Sequence, residues 1–465
     1  MKTRRIIVFF IVFGLFVLIS LSIDDVRNYD LFSVRSVIVL TGLMAGLWLT
    51  ELIPLWATAL LPLLFVALVP LRGLDGEPLS WSYVSGGYVA PIIWLFLSTF
   101  VLGGTLHKYG IDRWVSIGIL KAMRVRTKHG LLVALGLIGA VLSMWMSNTV
   151  VTAMLLPIVL VLTEKFRDKR PFLLVIAWAS SIGGIATLIG TPPNGITAGF
   201  LMDEGYKISF LQWFVLSLPV SAVLLGIASF ILTRDVPNEA VDVSIKMGRL
   251  SPIQKYVAIF IAVVIMLWLV VPIISEFVSV LKLFKTWIIG LLAVIFITGI
   301  PFKGRRIVRA REAIEMIDWG ILLLFGGGLA LSRMMTASGT AQVLANHLTD
   351  LLSFLPPIMI VILFALAVNF LTELTSNTAT TATLLPILIP VYIQMGIDPL
   401  LGALPIAYSA SLAFMLPIAT PPNAIVYASG ELSIPYMARK GFIMNLLGWV
   451  VVCLWVLGIS WFRSL

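Results

Sequence analysis

The chain has 465 residues, of which 60% are hydrophobic and only 12% are charged. A soluble globular protein carries roughly a quarter of its residues as charges, so this composition excludes a soluble domain and indicates a polytopic membrane protein. A single cysteine, Cys453, excludes an internal disulfide. The three histidines lack metal-ligand spacing, and no phosphate-cradling Gly-x-x-x-x-Gly-Lys-Ser/Thr loop is present for ATP.

Apolar stretches of about 20 residues, the length that crosses a bilayer, recur along the chain. They predict crossings at 6–22, 35–51, 54–71, 90–106, 172–201, 211–232, 255–274, 286–300, 319–334, 401–429 and 441–461. The first is expected to be a retained helix, since its 17 residues exceed the apolar core of a signal peptide, about 7–15 residues. Two further segments, 131–163 and 357–394, are about double length and break at their centres. Each is predicted to be a re-entrant hairpin that enters and leaves on the same side.

The distribution of basic residues predicts the orientation. With the N-terminus inside, 24 Lys and Arg residues fall inside and 8 outside, whereas the 22 acidic residues divide 11 and 11. Lys and Arg are the residues that obey the positive-inside rule. We therefore predict a cytoplasmic N-terminus and a periplasmic or extracellular C-terminus, and the short loops favour a bacterial inner membrane. Orientation accounts for the net charge of +10, so no nucleic-acid partner is predicted.

Two short motifs each occur twice in the chain, with the same spacing in both copies. Ser-Asn-Thr stands at 147–149 and 376–378, and Thr-Pro-Pro-Asn stands at 191–194 and 420–423. Both pairs have the same offset in sequence number, 229 (376 − 147 and 420 − 191). Duplicated helix breakers in apolar sequence are typical of the binding site of a secondary transporter. Such backbone must be paired by protein, water or ligand at membrane depth.

This duplication divides the chain into two units. We predict a first helix outside the repeats at 1–34, repeat 1 at 35–232, a cytoplasmic connection at 233–254 and repeat 2 at 255–465. Five crossings per repeat invert the second copy relative to the first. The predicted fold is an all-α polytopic membrane protein with eleven transmembrane helices and two re-entrant hairpins in two inverted five-helix repeats.

The repeated motifs suit two kinds of ligand. Half-helix N-termini present N–H groups with partial positive charge, which suits a carboxylate. Unwound carbonyls and Ser, Thr and Asn oxygens suit a monovalent cation such as sodium. Tandem prolines cannot continue a helix, so breaks are predicted at 190–194 and 419–423. The alternative is that the motifs only pair with one another or kink a helix, and their repetition in register weighs against it.

Glu373 is the one charged residue in the second hairpin, and its counterpart in the first is Met144. A charge at membrane depth is a functional candidate by default. The alternative is a structural hydrogen bond across the hairpin that satisfies a buried carboxylate. Elsewhere, 107–128 resembles an amphipathic helix on the inner surface, and 303–318 is a candidate counterpart on the same side.

These residues resemble the divalent anion/sodium symporter family, the sodium–dicarboxylate cotransporters of the wider ion transporter superfamily. The resemblance rests on the paired Ser-Asn-Thr and Thr-Pro-Pro-Asn motifs and covers nearly the whole chain. It implies a homodimer in which a scaffold holds a mobile transport domain. That domain would comprise both hairpins and the broken crossings 172–201 and 401–429 with their neighbours, and it would move as an elevator.

The resemblance also implies two sodium sites and one substrate site. The first sodium site would use Ser143, Ser147, Asn148 and the backbone at Gly190. The second would use Thr372, Thr375, Asn377 and the backbone at Ala419. The substrate carboxylates would meet Asn148, Thr149, Ser376, Asn377 and Thr378, with Thr191 and Thr420 close by.

The predicted function is sodium-coupled import of a C4-dicarboxylate such as succinate, malate or fumarate, with sodium as the coupling ion. On the same fold, a sodium-independent dicarboxylate or citrate exchanger and a sodium/sulfate symporter remain alternatives. An intramembrane enzyme would need a nucleophile, an acid–base pair or a metal cluster, and the sequence offers only Glu373. A channel is disfavoured because pores are commonly lined by rings across subunits.

Overall fold

The computed structural model describes residues 2–23, 29–206, 208–242 and 248–464. These ranges are almost entirely helical, apart from a two-stranded antiparallel hairpin formed by Pro301–Phe302 and Arg305–Arg306. Within the predicted cytoplasmic connection 233–254, residues 243–247 lie outside the described ranges.

The helices of the first half follow one another with short connections. In chain order they are α1 (Lys2–Ser22), α2 (Leu31–Thr50), α3 (Leu55–Thr58), α4 (Leu61–Leu68), α5 (Trp81–Ser85), α6 (Pro91–Lys108), α7 (Ile111–Ala122), α8 (Lys128–Ser143), α9 (Asn148–Leu162), α10 (Arg170–Ile185), α11 (Pro192–Asp203) and α12 (Phe210–Thr233). A 3₁₀ turn at Gly86–Val89 joins α5 to α6.

The second half has a matching order of long, short and interrupted helices. They are α13 (Pro252–Ile274), α14 (Thr286–Gly299), α15 (Ala310–Met316), α16 (Trp319–Ala337), α17 (Thr340–Leu352), α18 (Pro357–Leu371), α19 (Asn377–Gln394), α20 (Pro399–Ala410), α21 (Pro421–Tyr427) and α22 (Ile434–Ser464). A 3₁₀ turn at Ser279–Leu283 precedes α14.

Within the described ranges, seven helices are long and apolar enough to cross a membrane, or eight if the bent pair α17 and α18 counts as one span. The seven coincide with seven of the predicted crossings. The other four predicted crossings, 54–71, 172–201, 286–300 and 401–429, fall on short or interrupted helices. The 14 residues of α14 rise about 21 Å, less than the roughly 30 Å hydrocarbon core. Length alone therefore does not establish eleven crossings, which stay a prediction.

Each double-length segment forms two helices that meet at the Ser-Asn-Thr motif. Helices α8 and α9 occupy 131–163, and α18 and α19 occupy 357–394. Ser147 and Ser376 stand just before α9 and α19 with nearly the same backbone, φ −57° and ψ 133° in one, φ −65° and ψ 133° in the other. The chain thus breaks at equivalent residues in both halves.

The two interrupted helices break before their tandem prolines. Helix α10 ends at Ile185 and α11 begins at Pro192, whereas α20 ends at Ala410 and α21 begins at Pro421. The interruptions are therefore 186–191 and 411–420, and the prediction of 190–194 and 419–423 was wrong by several residues. Proline is favoured in the first turn of a helix, where its missing N–H has no intrahelical partner. The prolines therefore start the second half-helix.

The amphipathic helix predicted within 107–128 is α7, whereas 303–318, predicted as its counterpart on the same side, does not form one continuous helix. That stretch contains a strand and the short α15. The equivalent helix is α17, because its first residue follows that of α7 by the offset of the repeated motifs (340 − 111 = 229). Both follow a glycine in the left-handed region, Gly110 at φ 63° and Gly339 at φ 77°. The repeat offset therefore pairs α7 with α17.

The interrupted helices lie at the centre of the molecule. Helix α10, whose residues after Arg170 are all buried, packs against α8, α9 and α12, and α20 packs against α18, α19 and α22. Helix α11 also packs on α19 and α20, while α21 packs on α9 and α10. Each second half-helix therefore contacts the hairpin of the other repeat, which brings the two Ser-Asn-Thr tips to one place.

Candidate substrate and ion site

A cavity of about 1120 Å³ lies between the two tips. Its wall includes every predicted site residue except Ser143 and Thr372, which are fully buried behind the tips. The predicted residues that line it are Ser147, Asn148, Thr149, Gly190, Thr191, Thr375, Ser376, Asn377, Thr378, Ala419 and Thr420. Equivalent residues of the two repeats thus share one cavity.

The first tip is built around the side-chain amide of Asn148. Ser143 Oγ donates to Asn148 Oδ1 at 2.5 Å. The same amide oxygen lies 3.1 Å from the carbonyl oxygen of Ser180 and 3.2 Å from that of Gly190. The amide oxygen and these two carbonyl oxygens repel one another, so this spot requires either an N–H, which a turned amide would supply, or a cation. The donor set of hydroxyl, amide and carbonyl oxygens is one that sodium accepts.

The second tip repeats this arrangement at equivalent positions. Thr372 Oγ1 lies 2.6 Å from Asn377 Oδ1 and 2.9 Å from the Ala410 carbonyl oxygen. The hydroxyl of Thr375 is engaged within the hairpin, since it donates to Leu371 O at 2.9 Å and lies 2.6 Å from Thr380 Oγ1. The hydrogen of this hydroxyl is used within the hairpin, so an ion would contact Thr375 through an oxygen lone pair or through the backbone carbonyl.

Glycines let the backbone approach closely at the first tip. A Cβ at Gly184 would lie 2.8 Å from Asn148 Oδ1 and 3.1 Å from Gly190 O, and one at Gly190 would lie 2.5 Å from Gly184 O. The equivalent residues at the second tip are Ala413 and Ala419. The first tip therefore has less room for added side-chain atoms than the second.

The final asparagine of each Thr-Pro-Pro-Asn motif clamps the interruption that precedes it, a role that the sequence analysis missed. Both side chains are buried, and their amide nitrogens donate to backbone carbonyls in and beside the interruption. Asn194 Nδ2 donates to Gly184 O (2.9 Å), Ile185 O (3.2 Å) and Thr187 O (2.7 Å), and Asn423 Nδ2 donates to Ala413 O (3.1 Å) and Leu416 O (3.0 Å). The sequence did contain a signal for this role, because Asn194 and Asn423 recur at the repeat offset.

The threonine of each motif stands at the start of the second half-helix. Thr191 and Thr420 are extended, with φ −145° and −143°. Thr420 Oγ1 accepts a hydrogen bond from Asn423 N at 3.2 Å, whereas the Thr191 side chain makes no cap. Each hydroxyl keeps its hydrogen for donation to an anion in the cavity.

Helices α9 and α19 begin in the wall of the cavity. The first N–H groups of a helix have no partner within it, and they carry partial positive charge. Asn148 and Thr149 open α9, and Asn377 and Thr378 open α19, all four lining the cavity. No Lys or Arg belongs to either tip. An anion here would be met by neutral donors, helix ends and any bound cation.

Glu373 is satisfied, but not across the hairpin as the structural alternative proposed. Its carboxylate accepts hydrogen bonds from three backbone N–H groups of the interruption 411–420 and from Asn445 of α22. Within the described ranges, no hairpin residue donates a hydrogen bond to this carboxylate. Glu373 therefore connects the second hairpin to the broken helix beside it.

Comparison with known proteins agrees with this architecture. A model of the citrate transporter family matches residues 45–404. The sodium-dependent dicarboxylate transporter SdcS of Staphylococcus aureus strain USA300 is 35% identical over 451 residues, covering 90% of this chain and 84% of SdcS. SdcS of strain MSSA476 gives the same identity and coverage.

Two solved structures share the fold at low sequence identity. The YdaH transporter of Alcanivorax borkumensis superimposes with a TM-score of 0.61 at 15% identity, covering 87% of this chain and 97% of that one. MtrF of Neisseria gonorrhoeae gives 0.56 at 12% identity, covering 95% and 97%. The family match and the identity to SdcS confirm the resemblance: the chain belongs to the citrate transporter family of the matching model and to the divalent anion/sodium symporter family, and is a multi-pass membrane transporter.

Proposed function

We propose that the chain is a sodium-coupled symporter of C4-dicarboxylates such as succinate, malate and fumarate. The observation that carries the proposal is that both Ser-Asn-Thr tips, each with an oxygen cluster and a helix start, line a single cavity. The chain is also 35% identical to a sodium-dependent dicarboxylate transporter. Two carboxylates require two sets of donors, and the two tips supply them from opposite halves of the chain.

The first sodium ion would bind at Asn148, Ser143, Ser147 and the carbonyl of Gly190. Its support is the set of oxygens around the side-chain amide of Asn148, which are Ser143 Oγ and the carbonyl oxygens of Ser180 and Gly190. Hydroxyl, amide and carbonyl oxygens are suitable ligands for sodium.

The second sodium ion would bind at Thr372, Thr375, Asn377 and the carbonyl of Ala419. Its support is the bond between Thr372 and Asn377, which joins the equivalent positions and has nearly the same length as the bond in the first tip. A sodium ion behind each tip would offset the charge of a dianion in a cavity whose tips contain no Lys or Arg.

The substrate would lie between the tips, with one carboxylate at each helix start. Asn148 and Thr149 would bind one carboxylate, Ser376, Asn377 and Thr378 would bind the other, and Thr191 and Thr420 would donate from the side. Because each sodium site shares an asparagine with the substrate site, ion binding would fix the donors that the substrate needs. This sharing is the physical basis we propose for coupling.

The position of the cavity supports an alternating-access mechanism. Besides the tips, the cavity is lined by Arg5, Glu51, His107 and Asp318, which would lie on the cytoplasmic side in the orientation we propose from the charge distribution. On the opposite side Arg333 of α16 pairs with both carboxylate oxygens of Asp203 on α11, each at 2.9 Å. We propose that α8–α12 and α18–α22 form the transport domain, and that this outer ion pair breaks when the domain moves as an elevator.

We also propose a topology of eleven crossings with two re-entrant hairpins in inverted repeats, with the N-terminus inside. The protein would be a homodimer in the lipid bilayer of a bacterial inner membrane. Their support is the charge distribution, the repeated contacts of the two tips and the family to which the chain belongs.

Radiolabelled succinate uptake into proteoliposomes tests the proposed function. Purified protein would be compared under an inward sodium gradient and an inward potassium gradient of equal size, with protein-free liposomes as the control. Uptake only with sodium is expected. Uptake that ignores sodium but requires internal dicarboxylate would replace symport by exchange.

Citrate is a second candidate substrate because the matching family model is that of a citrate transporter. Unlabelled citrate and sulfate added to the same assay would separate the alternatives. We expect succinate, malate and fumarate to compete strongly, and citrate and sulfate weakly. Stronger inhibition by citrate than by unlabelled succinate would reassign the substrate.

A further inference from the structure

The carboxylate of Glu373 is buried, and each of its hydrogen-bond partners among the described residues is an N–H donor. The residue is 3% exposed. Its Oε1 accepts from Phe414 N (2.6 Å), Met415 N (2.9 Å) and Asn445 Nδ2 (2.7 Å), and its Oε2 accepts from Leu416 N (3.0 Å). Among the described residues, no Lys, Arg or His forms an ion pair with it. Such an all-donor environment suits an ionised carboxylate.

Leu416 links this carboxylate to the proposed second sodium site. Its N–H donates to Glu373, and its carbonyl accepts from Ala419 N at 3.2 Å and from Asn423 Nδ2 at 3.0 Å. The turn closed by these bonds carries the backbone of Ala419, which lines the cavity. Thr372, another proposed ligand of that site, directly precedes Glu373 in the chain. Glu373 therefore adjoins two proposed ligands of this site: it accepts a hydrogen bond from the turn that carries Ala419, and it directly follows Thr372 in the chain.

The first repeat makes the same turn with a neutral brace. Thr187 is the repeat equivalent of Leu416, and its carbonyl accepts from Gly190 N at 3.4 Å. Its hydroxyl donates to the Met144 carbonyl at 2.6 Å, and Met144 occupies the position equivalent to Glu373. One tip is therefore braced by a hydroxyl–carbonyl bond and the other by a buried carboxylate.

We propose that Glu373 is a positioning residue that strengthens sodium binding at the second tip. It fixes the turn that carries Ala419, and it adds a negative charge close to a site otherwise made of neutral oxygens. Attraction between this charge and a cation is strong in a low-dielectric interior. The second site therefore binds sodium more tightly than the first. This inference rests on the proposed function and identifies the residue that makes its two sodium sites unequal.

The test compares Glu373→Gln with Thr187→Val, the matched change at the first tip. Two quantities would be measured in proteoliposomes: the sodium concentration that gives half-maximal succinate uptake, and the KM for succinate at saturating sodium. Loss of a charged acceptor with four donors is expected to raise the sodium requirement about tenfold, and loss of one neutral hydrogen bond about threefold. The KM for succinate at saturating sodium is expected to stay unchanged in Glu373→Gln.

A structural role alone would give a different result. It would lower the thermal stability of Glu373→Gln equally with and without sodium, and the folded fraction would keep the wild-type sodium requirement. That outcome would overturn the proposal. The proposal instead expects sodium to raise the Tm of purified Glu373→Gln less than it raises the Tm of the wild type.

Two further outcomes, a variant that does not fold and a failure of the proposed function itself, can be distinguished from a failure of this proposal. If Glu373→Gln yields no folded protein, Glu373→Asp keeps the charge one methylene shorter and is expected to show an intermediate sodium requirement. An unchanged requirement in folded Glu373→Asp would contradict the positioning role. Sodium-independent uptake by the wild type would contradict the proposed function itself. Sodium-dependent uptake by the wild type, with the same sodium requirement in the Glu373 variants, would contradict only the role of Glu373.

Discussion

The two tips of the cavity are nearly the same structure built twice. In each, a hydroxyl donates to the asparagine of Ser-Asn-Thr, at 2.5 Å in one and 2.6 Å in the other. In each, a second asparagine ten residues (194 − 184) after the first clamped carbonyl holds the interrupted helix open. The shared contacts are the ones that present oxygens and N–H groups to the cavity. Duplication has therefore kept the ligand-facing geometry.

The differences between the tips lie in the two interruptions and in the residues that support them. The first interruption spans six residues, 186–191, and the second spans ten, 411–420. The first carries Gly184 and Gly190 where the second carries alanines, and Met144 stands where the second has Glu373. A longer interruption leaves more backbone N–H groups to satisfy, and the carboxylate satisfies three of them. We infer that the shared contacts define what binds and that these differences set how tightly each tip binds it.

The largest effect is expected from removing either asparagine of the Ser-Asn-Thr motifs. Asn148→Ala and Asn377→Ala should each reduce sodium-driven succinate uptake to the level of empty liposomes, because each residue serves an ion and the substrate at once. Size-exclusion profiles should match the wild type, which separates lost binding from lost folding. Wild-type uptake rates in either variant would remove that residue from the site.

A smaller effect is expected from exchanging the glycine and alanine that distinguish the tips. Gly184→Ala places a Cβ 2.8 Å from Asn148 Oδ1, so it should raise the sodium concentration for half-maximal uptake by about tenfold or more, as when a residue that orients an ion ligand is disturbed. The matched change Ala413→Gly in the second tip removes atoms and should leave this concentration within about twofold of wild type. Equal effects of the two changes would show that the glycine does not shape an ion site.

The asparagine clamps should affect stability more than sodium dependence. Asn194→Ala leaves three carbonyls without their donor and Asn423→Ala leaves two, so each should destabilise by about 2–3 kcal/mol. Asn194→Ala should have the larger effect. Thermal unfolding of the purified variants measures it, and an unchanged Tm in both would mean that water replaces the clamps.

The smallest effect is expected at the first turn of α10, outside the membrane-spanning segments. A hydrogen bond from the Arg170 side chain, opposed by partial burial and assisted by the Arg170 backbone N–H and charge, lowers the pKa of Asp168. A carboxyl with a lowered pKa stabilises the fold above its unfolded pKa, about 3.9, and loses that contribution as the pH falls through the lower folded value.

Asp168→Asn should therefore lower stability at pH 7 by less than about 1 kcal/mol, because the pair is partly exposed to solvent. The difference from wild type should shrink as the pH falls below about 4. Thermal unfolding at neutral and acidic pH checks this. A difference that grows on acidification would contradict the assigned sign.

Repetition made much of this site predictable from the sequence. The repeated Ser-Asn-Thr motifs predicted where each double-length segment breaks, and the family resemblance supplied the residues that line the cavity. Local chemistry also predicted that the tandem prolines interrupt α10–α11 and α20–α21. The side of the prolines on which the chain unwinds was missed, since proline can either end one helix or start the next.

Contacts between distant segments were not predictable. Glu373 is 41 to 43 residues from the N–H groups that it accepts from and 72 from Asn445. No periodicity in the sequence links these positions. The clamps of Asn194 and Asn423 were missed because the motif was interpreted only as a helix breaker. Helix α17, the repeat equivalent of α7, was missed because the repeat offset was not applied to the stretch 107–128.

Equilibrium binding of radiolabelled succinate to the purified protein tests the central claim most directly, because it separates ion coupling from movement across the bilayer. Wild type, Asn148→Ala and Asn377→Ala would be titrated with sodium at constant ionic strength, with potassium as the replacement ion. Our account predicts that wild-type binding requires sodium and that either substitution abolishes it, since both tips must bind together. Succinate binding that is equally strong in potassium, or that survives in either variant, would contradict it.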